Sequence, residues 1–519
     1  MQQHYDTLGV YCALLQREGL LAVPPLRSFP MSQEVRSVSD NSQHVISNTL
    51  FVCKGAHFKP EYLVQAAQSG ALAYVSETPY PDVDLPCIQV TDIRRALPLL
   101  AVQFYHDPSQ RLPVIGITGT KGKSTTTYYL KYILDAYLAQ RNSACGVISS
   151  IDTYDGVEQF ESHLTTPEPI ELQRHFSNAI QSGLGYMVME VSSQALKYHR
   201  TLGTHFAASC FLNIGEDHIS PVEHTDFEDY FQSKLKLFAQ TQTACVNLDA
   251  AHAPRILSAA HRSAAKALTF SRRDRWADVF ARRVRKVGNH ITLQVEAGHL
   301  SGHYQLSMPG MFNVENALAA ITICLALNIP QWAVQQGLEQ AQVPGRMEVF
   351  QSTDRRVVAV VDYAHNRMSF EALFRSVAEE YPKRRIVTVF GCPGKKAFDR
   401  RRDLGEVSGK HSQFVILTEE DSGEENTMDI CREIAAHVEA AGCPYDIQPN
   451  RGEAIRQAVL GCKTPSVLLI TGKGAETRQK RGLEYIETPS DVDYVRTFLE
   501  EYEARQIAHL IDTEDQARA

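Results

Sequence analysis

The 519-residue sequence has eleven cysteines, spread from Cys12 to Cys462, and none of them forms a Cys-x-x-Cys pair. An odd number of scattered thiols suits neither a disulfide framework nor a zinc site, and fits buried thiols in a reducing compartment. No apolar run approaches the length of a transmembrane helix, and the N-terminus lacks the pattern of a secretory signal. These absences predict a cytoplasmic protein without membrane insertion.

An excess of positive charge is also missing. The chain has 52 Lys and Arg against 60 Asp and Glu, a formal net charge of −8, and the two signs are interspersed. This excludes a broad basic surface for nucleic acid but leaves room for a local positive pocket that binds phosphates. At this length, with 44% hydrophobic residues, the chain can build several cores, and we expect about three domains.

Strand-like and helical segments alternate in three blocks, residues 1–108, 109–343 and 344–519. In the second block, strands such as 186–189 and 208–212 alternate with helices, which is typical of a parallel sheet covered on both faces. We interpret its Arg-rich stretch, residues 272–285, as a solvated surface excursion. The pattern predicts an α/β fold.

One short segment carries the clearest chemical signal. An apolar strand-like run breaks into a glycine-bearing loop that ends in Lys123-Ser124 and opens a helix. Gly119 and Gly122 let the backbone turn its N–H groups inward, Lys123 supplies a cation for phosphates, and the Ser124 hydroxyl can hold Mg²⁺. The spacing departs from the standard P-loop because Ile117 stands at the position of its first glycine. We predict a nucleotide-phosphate site.

Polar residues follow several predicted strands, among them Glu190, Asn213, Asp362, Gly391 and Gly472. In open α/β sheets, ligands bind outside the carboxyl ends of the strands. Two such edges facing each other would make an active site between the second and third blocks.

A metal site can be assembled beside the phosphate loop. The carboxylate of Glu190, the pair Asp217-His218 and the hydroxyl of Ser124 could meet at Mg²⁺ together with phosphate oxygens. Because Mg²⁺ prefers oxygen, His218 taken alone is more often a hydrogen-bonded structural histidine. Lys234 lies in an amphipathic segment, where its simplest interpretation is a solvated helix face.

Taken together, these residues and further motifs resemble the ATP-dependent Mur ligases, and within them the branch that adds the third residue of the peptidoglycan stem peptide. The stretch from Phe51 to Lys59, with Tyr62-Leu63, is similar to the L-lysine-adding members in particular. The matching motifs, in family order, are Gly119-Thr120-Lys121-Gly122-Lys123-Ser124, Thr165-Thr166-Pro167, Met189-Glu190-Val191-Ser192-Ser193, Leu212-Asn213-Ile214 with Asp217-His218, Gly310-Met311-Phe312-Asn313 with Asn316, Pro344-Gly345-Arg346-Met347-Glu348, Asp362-Tyr363-Ala364-His365-Asn366, and Gly472-Lys473-Gly474 with Glu476.

The resemblance implies a UDP-recognising N-terminal domain over 1–108, an ATP-binding central domain with a P-loop-type parallel sheet over 109–343, and a Rossmann-like, amino-acid-binding C-terminal domain over 344–519. It implies that ATP phosphorylates the γ-carboxylate of UDP-MurNAc-L-Ala-D-Glu and that the amine of the third amino acid attacks the acyl phosphate. Mg²⁺ is the implied cofactor, and we expect a monomer.

The resemblance also assigns roles to individual residues. Lys123, Glu190, His218 and Lys234 would be catalytic, and Ser124, Glu190, His218 and Lys234, the last as N6-carboxylysine, would hold metal. The implied ATP contacts are Gly119, Thr120, Lys121, Gly122, Lys123, Ser124, Thr125, Asn313, Asn316, Arg346 and Asp362. The implied contacts to the UDP-MurNAc-dipeptide are Ser42, Lys54, Gly55, Thr165, Thr166, Ser192 and Arg200, and those to the amino acid are Arg401, Glu420, Asp421, Gly472 and Glu476.

The choice of third amino acid is where the sequence departs from part of the family. The diaminopimelate branch uses Asp-Asn-Pro-Arg, whose arginine clamps the distal carboxylate of the substrate. Here the aligned stretch is Glu420-Asp421-Ser422-Gly423. Two carboxylates suit a distal ammonium, which favours L-lysine, although the acidic run continues through Glu424-Glu425 and could simply be exposed. Ornithine, diaminopimelate and a folylpolyglutamate-synthase-like ligase stay open as alternatives.

Overall fold

The computed structural model describes residues 5–25, 29–55, 58–216, 219, 223–287 and 290–518. Three large sheets follow one another along the chain, and helices pack against each of them. This confirms the α/β prediction. The predicted domain boundaries, after residues 108 and 343, fall between the sheets.

The N-terminal sheet is entirely parallel and has the strand order β1-β2-β3-β4. Its buried strand residues, such as Leu50 and Val75, pack against helix residues that include Leu15 and Leu97. The elements are α1 (Leu8–Arg17), β1 (Ser37–Ser39), β2 (Thr49–Val52), α2 (Pro60–Gln68), β3 (Ala71–Ser76), β4 (Cys87–Gln89) and α3 (Ile93–Phe104).

The central sheet has a parallel middle and antiparallel strands at both ends. Its elements are β5 (Val114–Thr118), α4 (Lys123–Ala139), β6 (Cys145–Ile148), β7 (Asp152–Tyr154), β8 (Gln159–Glu161), α5 (Pro169–Gln181), β9 (Tyr186–Glu190), α6 (Ser193–Lys197), β10 (Phe206–Phe211), α7 (Phe227–Leu235), β11 (Thr241–Asn247), α8 (Ala253–Ser263), β12 (Lys266–Ser271), β13 (Val279–Val287), β14 (His290–Glu296), β15 (Gly302–Leu306), α9 (Asn313–Ala326) and α10 (Gln331–Gln340).

The strand order β15-β14-β13-β12-β11-β10-β5-β9-β6-β7-β8 places β5 between β10 and β9. The phosphate loop after β5 is therefore flanked by the carboxyl ends of the two strands that lead to Asn213 and Glu190. The Arg-rich stretch was predicted to be a surface excursion, but its second half belongs to strand β13. Arg282 and Arg285 pair with β14, and their side chains are exposed.

The C-terminal sheet is parallel apart from its first strand, with the order β16-β17-β21-β18-β19-β20. Strands β17 and β21 are neighbours, so Asp362 and Gly472 emerge side by side at one edge. The elements are β16 (Glu348–Gln351), β17 (Val357–Asp362), α11 (Arg367–Glu380), β18 (Arg385–Phe390), α12 (Asp399–His411), β19 (Phe414–Leu417), α13 (Thr427–Ala440), β20 (Tyr445–Ile447), α14 (Arg451–Leu460), β21 (Ser466–Thr471), β22 (Arg478–Arg481), β23 (Glu484–Glu487) and α15 (Asp491–Arg518).

Two further predictions concern buried cysteine thiols and the lack of a transmembrane helix. All eleven cysteines lie in the described ranges and are free thiols, ten buried and Cys87 half-buried. Burial raises the pKa of the Cys431 thiol to about 12, so this thiol stays protonated at neutral pH. Within the described residues, each helix is too short or too polar to cross a membrane.

Candidate functional site

A cleft of about 580 Å³ lies between the carboxyl edges of the central and C-terminal sheets. Most residues predicted for ATP, metal and amino-acid binding meet in it, together with Thr165 from the predicted dipeptide contacts, whereas Gly119, Lys234 and Arg401 are not part of its lining. Those that line it are Thr120, Lys121, Gly122, Lys123, Ser124, Thr125, Thr165, Glu190, Asn313, Asn316, Arg346, Asp362, Glu420, Asp421, Gly472 and Glu476.

The phosphate loop is shaped by backbone conformation and close packing. Gly122, directly before α4, has φ +81°, and a β-carbon there would overlap the side-chain amide of Asn316. Only glycine fits both demands. Lys123 folds back over the loop, where its Nζ donates to the carbonyls of Gly119 at 3.1 Å and Thr120 at 3.4 Å. The ammonium and the start of α4 are thus held where phosphate oxygens would bind.

Oxygen atoms converge beside Ser124. The Ser124 Oγ lies 3.2 Å from the Ser150 Oγ, which is itself 3.2 Å from Glu190 Oε1. The Ser150 main-chain N–H also donates to Glu190 at 2.9 Å, and this fixes the buried carboxylate at the end of β9. Two hydroxyls and a carboxylate in one cluster are the donors that Mg²⁺ prefers. Sequence reasoning missed Ser150, which lies outside the recognised motifs.

Helix α7 presses Lys234 against the phosphate loop. Lys234 is 2% exposed, which corrects its interpretation as a solvated helix face, and its Nζ donates to the Gly119 carbonyl at 3.0 Å. One turn earlier, the Tyr230 hydroxyl lies 3.0 Å from the Thr120 hydroxyl. The predicted partner His218, with Asp217, lies outside the described residues.

The segment 344–348 joins the two edges of the cleft. The guanidinium of Arg346 lies 4.1 Å from the Tyr363 ring centre and donates to the Ser124 hydroxyl at 3.4 Å. Asp362 accepts from the Met347 N–H at 2.9 Å. Burial raises the pKa of Asp362, and Arg346 partly opposes this. Arg346 and Asp362 therefore connect the phosphate loop to the C-terminal domain, as their predicted role at ATP requires.

The opposite wall of the cleft is acidic. Lys473, which sequence reasoning quoted without giving it a role, pairs with Asp421 at 3.0 Å and with Glu476 at 2.5 Å. The Tyr363 hydroxyl donates to Glu476 at 2.6 Å. Glu420 stands beside this trio, so the wall presents three carboxylates, while the cations Lys396 and Arg400 also line the cleft.

Glu420 is the buried acid of this wall. Burial, opposed in part by the Arg451 guanidinium, raises the pKa of Glu420 to about 7. Gly472 has φ +107°, and a β-carbon at that position would overlap the Glu420 carboxylate. A buried carboxylate with a raised pKa, in contact with a glycine of the predicted amino-acid site, is typical of a functional group in a binding site.

The structure corrects the prediction that Arg401 contacts the amino acid. Its buried guanidinium donates to Glu425 at 2.7 and 2.8 Å and to Glu433 at 2.7 Å, and it is absent from the cleft lining. Arg400 and Lys396 line the cleft instead. Successive residues of a helix point about 100° apart, so a pattern that indicates an arginine near the start of α12 does not say which of two neighbours faces the site.

The residues predicted to grip the dipeptide form a chain of hydrogen bonds beside the cleft. The Thr166 hydroxyl donates to the Glu190 carbonyl at 2.9 Å and accepts from the Ser192 N–H at 3.0 Å. The Ser192 hydroxyl caps α6. The Arg200 guanidinium donates to the Thr166 carbonyl at 3.1 Å and pairs with Glu168 at 2.7 Å.

Glu168 also pairs with Lys54, which brings the N-terminal domain to this edge of the central domain. Lys54 and Gly55 line a separate pocket of about 500 Å³ in the N-terminal domain. Ser42 lies outside the lining of that pocket and donates to the Gln65 side chain at 2.8 Å. The structure therefore supports Lys54 and Gly55 as pocket residues more directly than Ser42.

The comparisons with known proteins agree with this geometry. The Mur ligase middle domain matches residues 117–324, and the "Mur ligase, glutamate ligase domain" matches residues 345–474. The chain is 37% identical, over 86% of its length and 88% of the relative, to the UDP-N-acetylmuramoyl-L-alanyl-D-glutamate–L-lysine ligase of Enterococcus faecalis. It is 34% identical, over 95% and 98%, to a UDP-N-acetylmuramyl-tripeptide synthetase of Lactobacillus delbrueckii subsp. bulgaricus.

Among solved structures, a UDP-N-acetylmuramoyl-L-alanyl-D-glutamate–2,6-diaminopimelate ligase matches with a TM-score of 0.64 and 22% identity, covering 96% of this chain and 99% of the other. This match shows the shared fold. The phosphate loop of the central domain faces the acidic wall of the C-terminal domain across one cleft. This is the architecture of a nucleotide-dependent ligase. The chain belongs to the Mur ligase family.

Proposed function

We propose that this protein is an ATP-dependent ligase that adds L-lysine to UDP-MurNAc-L-Ala-D-Glu. One observation carries the proposal. A single cleft has a phosphate loop on one wall and, on the other, the acids Glu420, Asp421 and Glu476, with glycine at position 423. The first wall suits ATP, and the second suits the distal ammonium of a diamino acid.

The chemistry explains why both walls are needed. A carboxylate is too poor an electrophile for an amine, so the terminal phosphoryl group of ATP is transferred to the γ-carboxylate of the D-glutamate residue, and ADP is the leaving group. The lysine amine then attacks the acyl carbon, the amide bond forms, and inorganic phosphate and a proton leave. Lys123 and Arg346 would neutralise charge on the transferred group, because positioning and charge stabilisation dominate phosphoryl transfer.

The Ser124, Ser150 and Glu190 cluster supports Mg²⁺ as the cofactor, since its three donors are oxygens within 3.2 Å steps of one another. When bound, Mg²⁺ would offset negative charge on the nucleotide phosphates. Following the family resemblance, we propose that Lys234 is carbamylated in the active enzyme. A carbamate on its Nζ would turn this buried cation beside the phosphate loop into an anion able to hold a metal.

At the amino-acid wall, we propose that Glu420 faces the distal ammonium of lysine and that Gly472, with Glu476, lies at its α-amine, while Gly472 also allows the close approach of Glu420. Asp421 is already paired with Lys473 and would hold the wall in shape. Arg400 or Lys396, both lining the cleft, would bind the α-carboxylate of lysine in place of Arg401, which the family resemblance had assigned to the amino acid.

The precursor would extend from the N-terminal pocket to the cleft. Lys54 and Gly55 would meet its uridine-diphosphate end, with Ser42 nearby in the chain. Thr165, Thr166, Ser192 and Arg200 would hold the muramoyl dipeptide so that its carboxylate reaches the phosphate loop. We further propose a cytoplasmic monomer that binds no nucleic acid, consistent with the net charge of −8.

An amino-acid panel tests the proposal. UDP-MurNAc-L-Ala-D-Glu, ATP and Mg²⁺ are mixed with L-lysine, L-ornithine or meso-diaminopimelate, and phosphate release and product mass are recorded. We expect a tripeptide product with L-lysine at the highest kcat/KM. Glutamylation of a folate acceptor, with no product from the muramoyl precursor, would establish the folylpolyglutamate-synthase-like alternative and refute the proposal.

A further inference from the structure

A two-stranded hairpin, residues 478–487, follows the amino-acid-binding segment and is bonded firmly to the acidic wall. The Asp421 N–H donates to the buried Gln479 side chain at 2.9 Å, and the Lys480 N–H donates to the Asp421 carboxylate at 2.8 Å. Arg481 pairs with Glu419 at 2.7 Å. The hairpin therefore moves together with the 419–423 segment.

The first residue of the hairpin, Arg478, reaches the other domain. Its Nη2 donates to the Ser162 carbonyl of the central domain at 2.8 Å, and its Nη1 contacts the His163 ring. Its Nε lies 3.8 Å from Glu161, which also accepts from the neighbouring Thr477 hydroxyl. Arg478 thus points away from the amino-acid pocket and towards the end of β8.

The segment that receives Arg478 is fixed and leads to the substrate side of the cleft. Ser162 is buried, and its hydroxyl lies 2.8 Å from the Thr153 hydroxyl in the central sheet. Three residues later in the chain, Thr165 lines the cleft and directly precedes Thr166. One hairpin therefore contacts the predicted amino-acid pocket on one side and the approach to the predicted dipeptide contacts on the other.

We propose that Arg478 is a positioning residue which, through the 478–487 hairpin, couples occupancy of the amino-acid pocket to docking of the C-terminal domain on the central domain. Lysine bound at Glu420 would stabilise the segment that carries Asp421, and with it the hairpin. Arg478 would then hold the amine-bearing domain against the Glu161–Thr165 segment. This inference rests on the proposed function.

The test compares Arg478→Ala with Arg432→Ala. Arg432 is an exposed arginine of the same domain that pairs only locally, with Asp429 at 2.9 Å. Initial rates are measured with each of the three substrates varied in turn, and folding is checked by thermal unfolding. We expect Arg478→Ala to lower kcat/KM for lysine about five- to tenfold, with KM for ATP within about twofold, and Arg432→Ala to match the wild type.

A double-mutant cycle with Glu161→Gln then asks whether the two residues act through one contact. We expect the double variant to be little worse than Arg478→Ala, and Arg478→Lys, which keeps the charge, to recover part of the loss. Equal rates for Arg478→Ala and Arg432→Ala, or losses that multiply in the cycle, would overturn the coupling. If the wild type ligates a different diamino acid, the proposed substrate is wrong, and the same comparison with that amino acid still decides on Arg478.

Discussion

The two walls of the cleft are built in different ways. The phosphate-loop wall is made by consecutive residues, 119–125, whose backbone follows from two glycines and the start of α4. The acidic wall is assembled from segments more than fifty residues apart, as in the Asp421–Lys473 pair. A wall of consecutive residues depends on its local sequence. A composite wall, assembled from separate segments, can change at one position without rebuilding the site, so it is suited to determine which amino acid is bound.

The largest loss of activity is expected when the phosphate-binding cation is removed from the phosphate-loop wall. We expect Lys123→Ala to lower kcat/KM by at least roughly a thousandfold, because its ammonium serves the transferred phosphoryl group. Thermal unfolding should stay near that of the wild type, since the half-buried side chain lines the cleft and is not part of a hydrophobic core. Steady-state rates decide the matter, and near-normal turnover would show that this wall does not bind the nucleotide.

Lys234 tests whether the loop wall needs a modified residue. We expect Lys234→Ala to lose about two orders of magnitude in kcat and to be partly rescued by added short carboxylic acids, which can replace a missing anion at a metal. Mass spectrometry under CO₂ should detect the carbamate on the wild-type peptide. Rescue by short amines in place of acids would identify the ammonium as the working form.

Exchange of the third amino acid tests the composite wall. Diaminopimelate would bring a distal carboxylate against Glu420 with no guanidinium at Gly423, a loss on the order of 3 kcal/mol, or about a hundredfold in kcat/KM. Ornithine, one methylene shorter than lysine, should fall between the two. Competition assays with both amino acids present give the ratio directly. Equal incorporation of diaminopimelate and lysine would refute the acidic wall and indicate Lys396 as a replacement clamp.

The phosphate-loop wall could be predicted from the sequence more completely than the acidic wall, and the reason is physical. The Gly119-to-Ser124 segment could be interpreted from its local sequence, two glycines and Lys-Ser between a strand and a helix, since its function lies in local backbone geometry. The ion pair of Lys473 with Asp421 joins residues 52 positions apart, and no local pattern encodes it. The burial of Lys234 likewise depends on how α7 packs on the loop. The family resemblance supplied its role, and the structure supplied its contact with Gly119.

The pKa of Glu420 gives the acidic wall a pH dependence. Because burial raises this pKa to about 7, the carboxyl is protonated below that pH and cannot pair with an ammonium. KM for lysine should therefore rise about tenfold from pH 8 to pH 6, and Glu420→Gln should have a high, pH-independent KM. Glu424→Gln is the control, since Glu424 is an exposed acid of the same run, paired with Lys395. If both variants keep the wild-type profile, Glu420 does not face the ammonium of lysine.

The smallest effect on catalysis is expected at Arg401. Comparing it with Arg400 distinguishes a structural role from a substrate-binding role on the composite wall. Its guanidinium is paired with Glu425 and Glu433 and does not line the cleft, so Arg401→Ala should cost about 2 kcal/mol of stability and change KM for lysine by less than about twofold. Arg400→Ala removes a cation that lines the cleft, and should raise KM for lysine several-fold. Thermal melts and lysine titrations of the two variants measure both quantities. Reversed results would return the α-carboxylate role to Arg401, because a guanidinium that binds substrate must exchange its glutamate partners for the ligand.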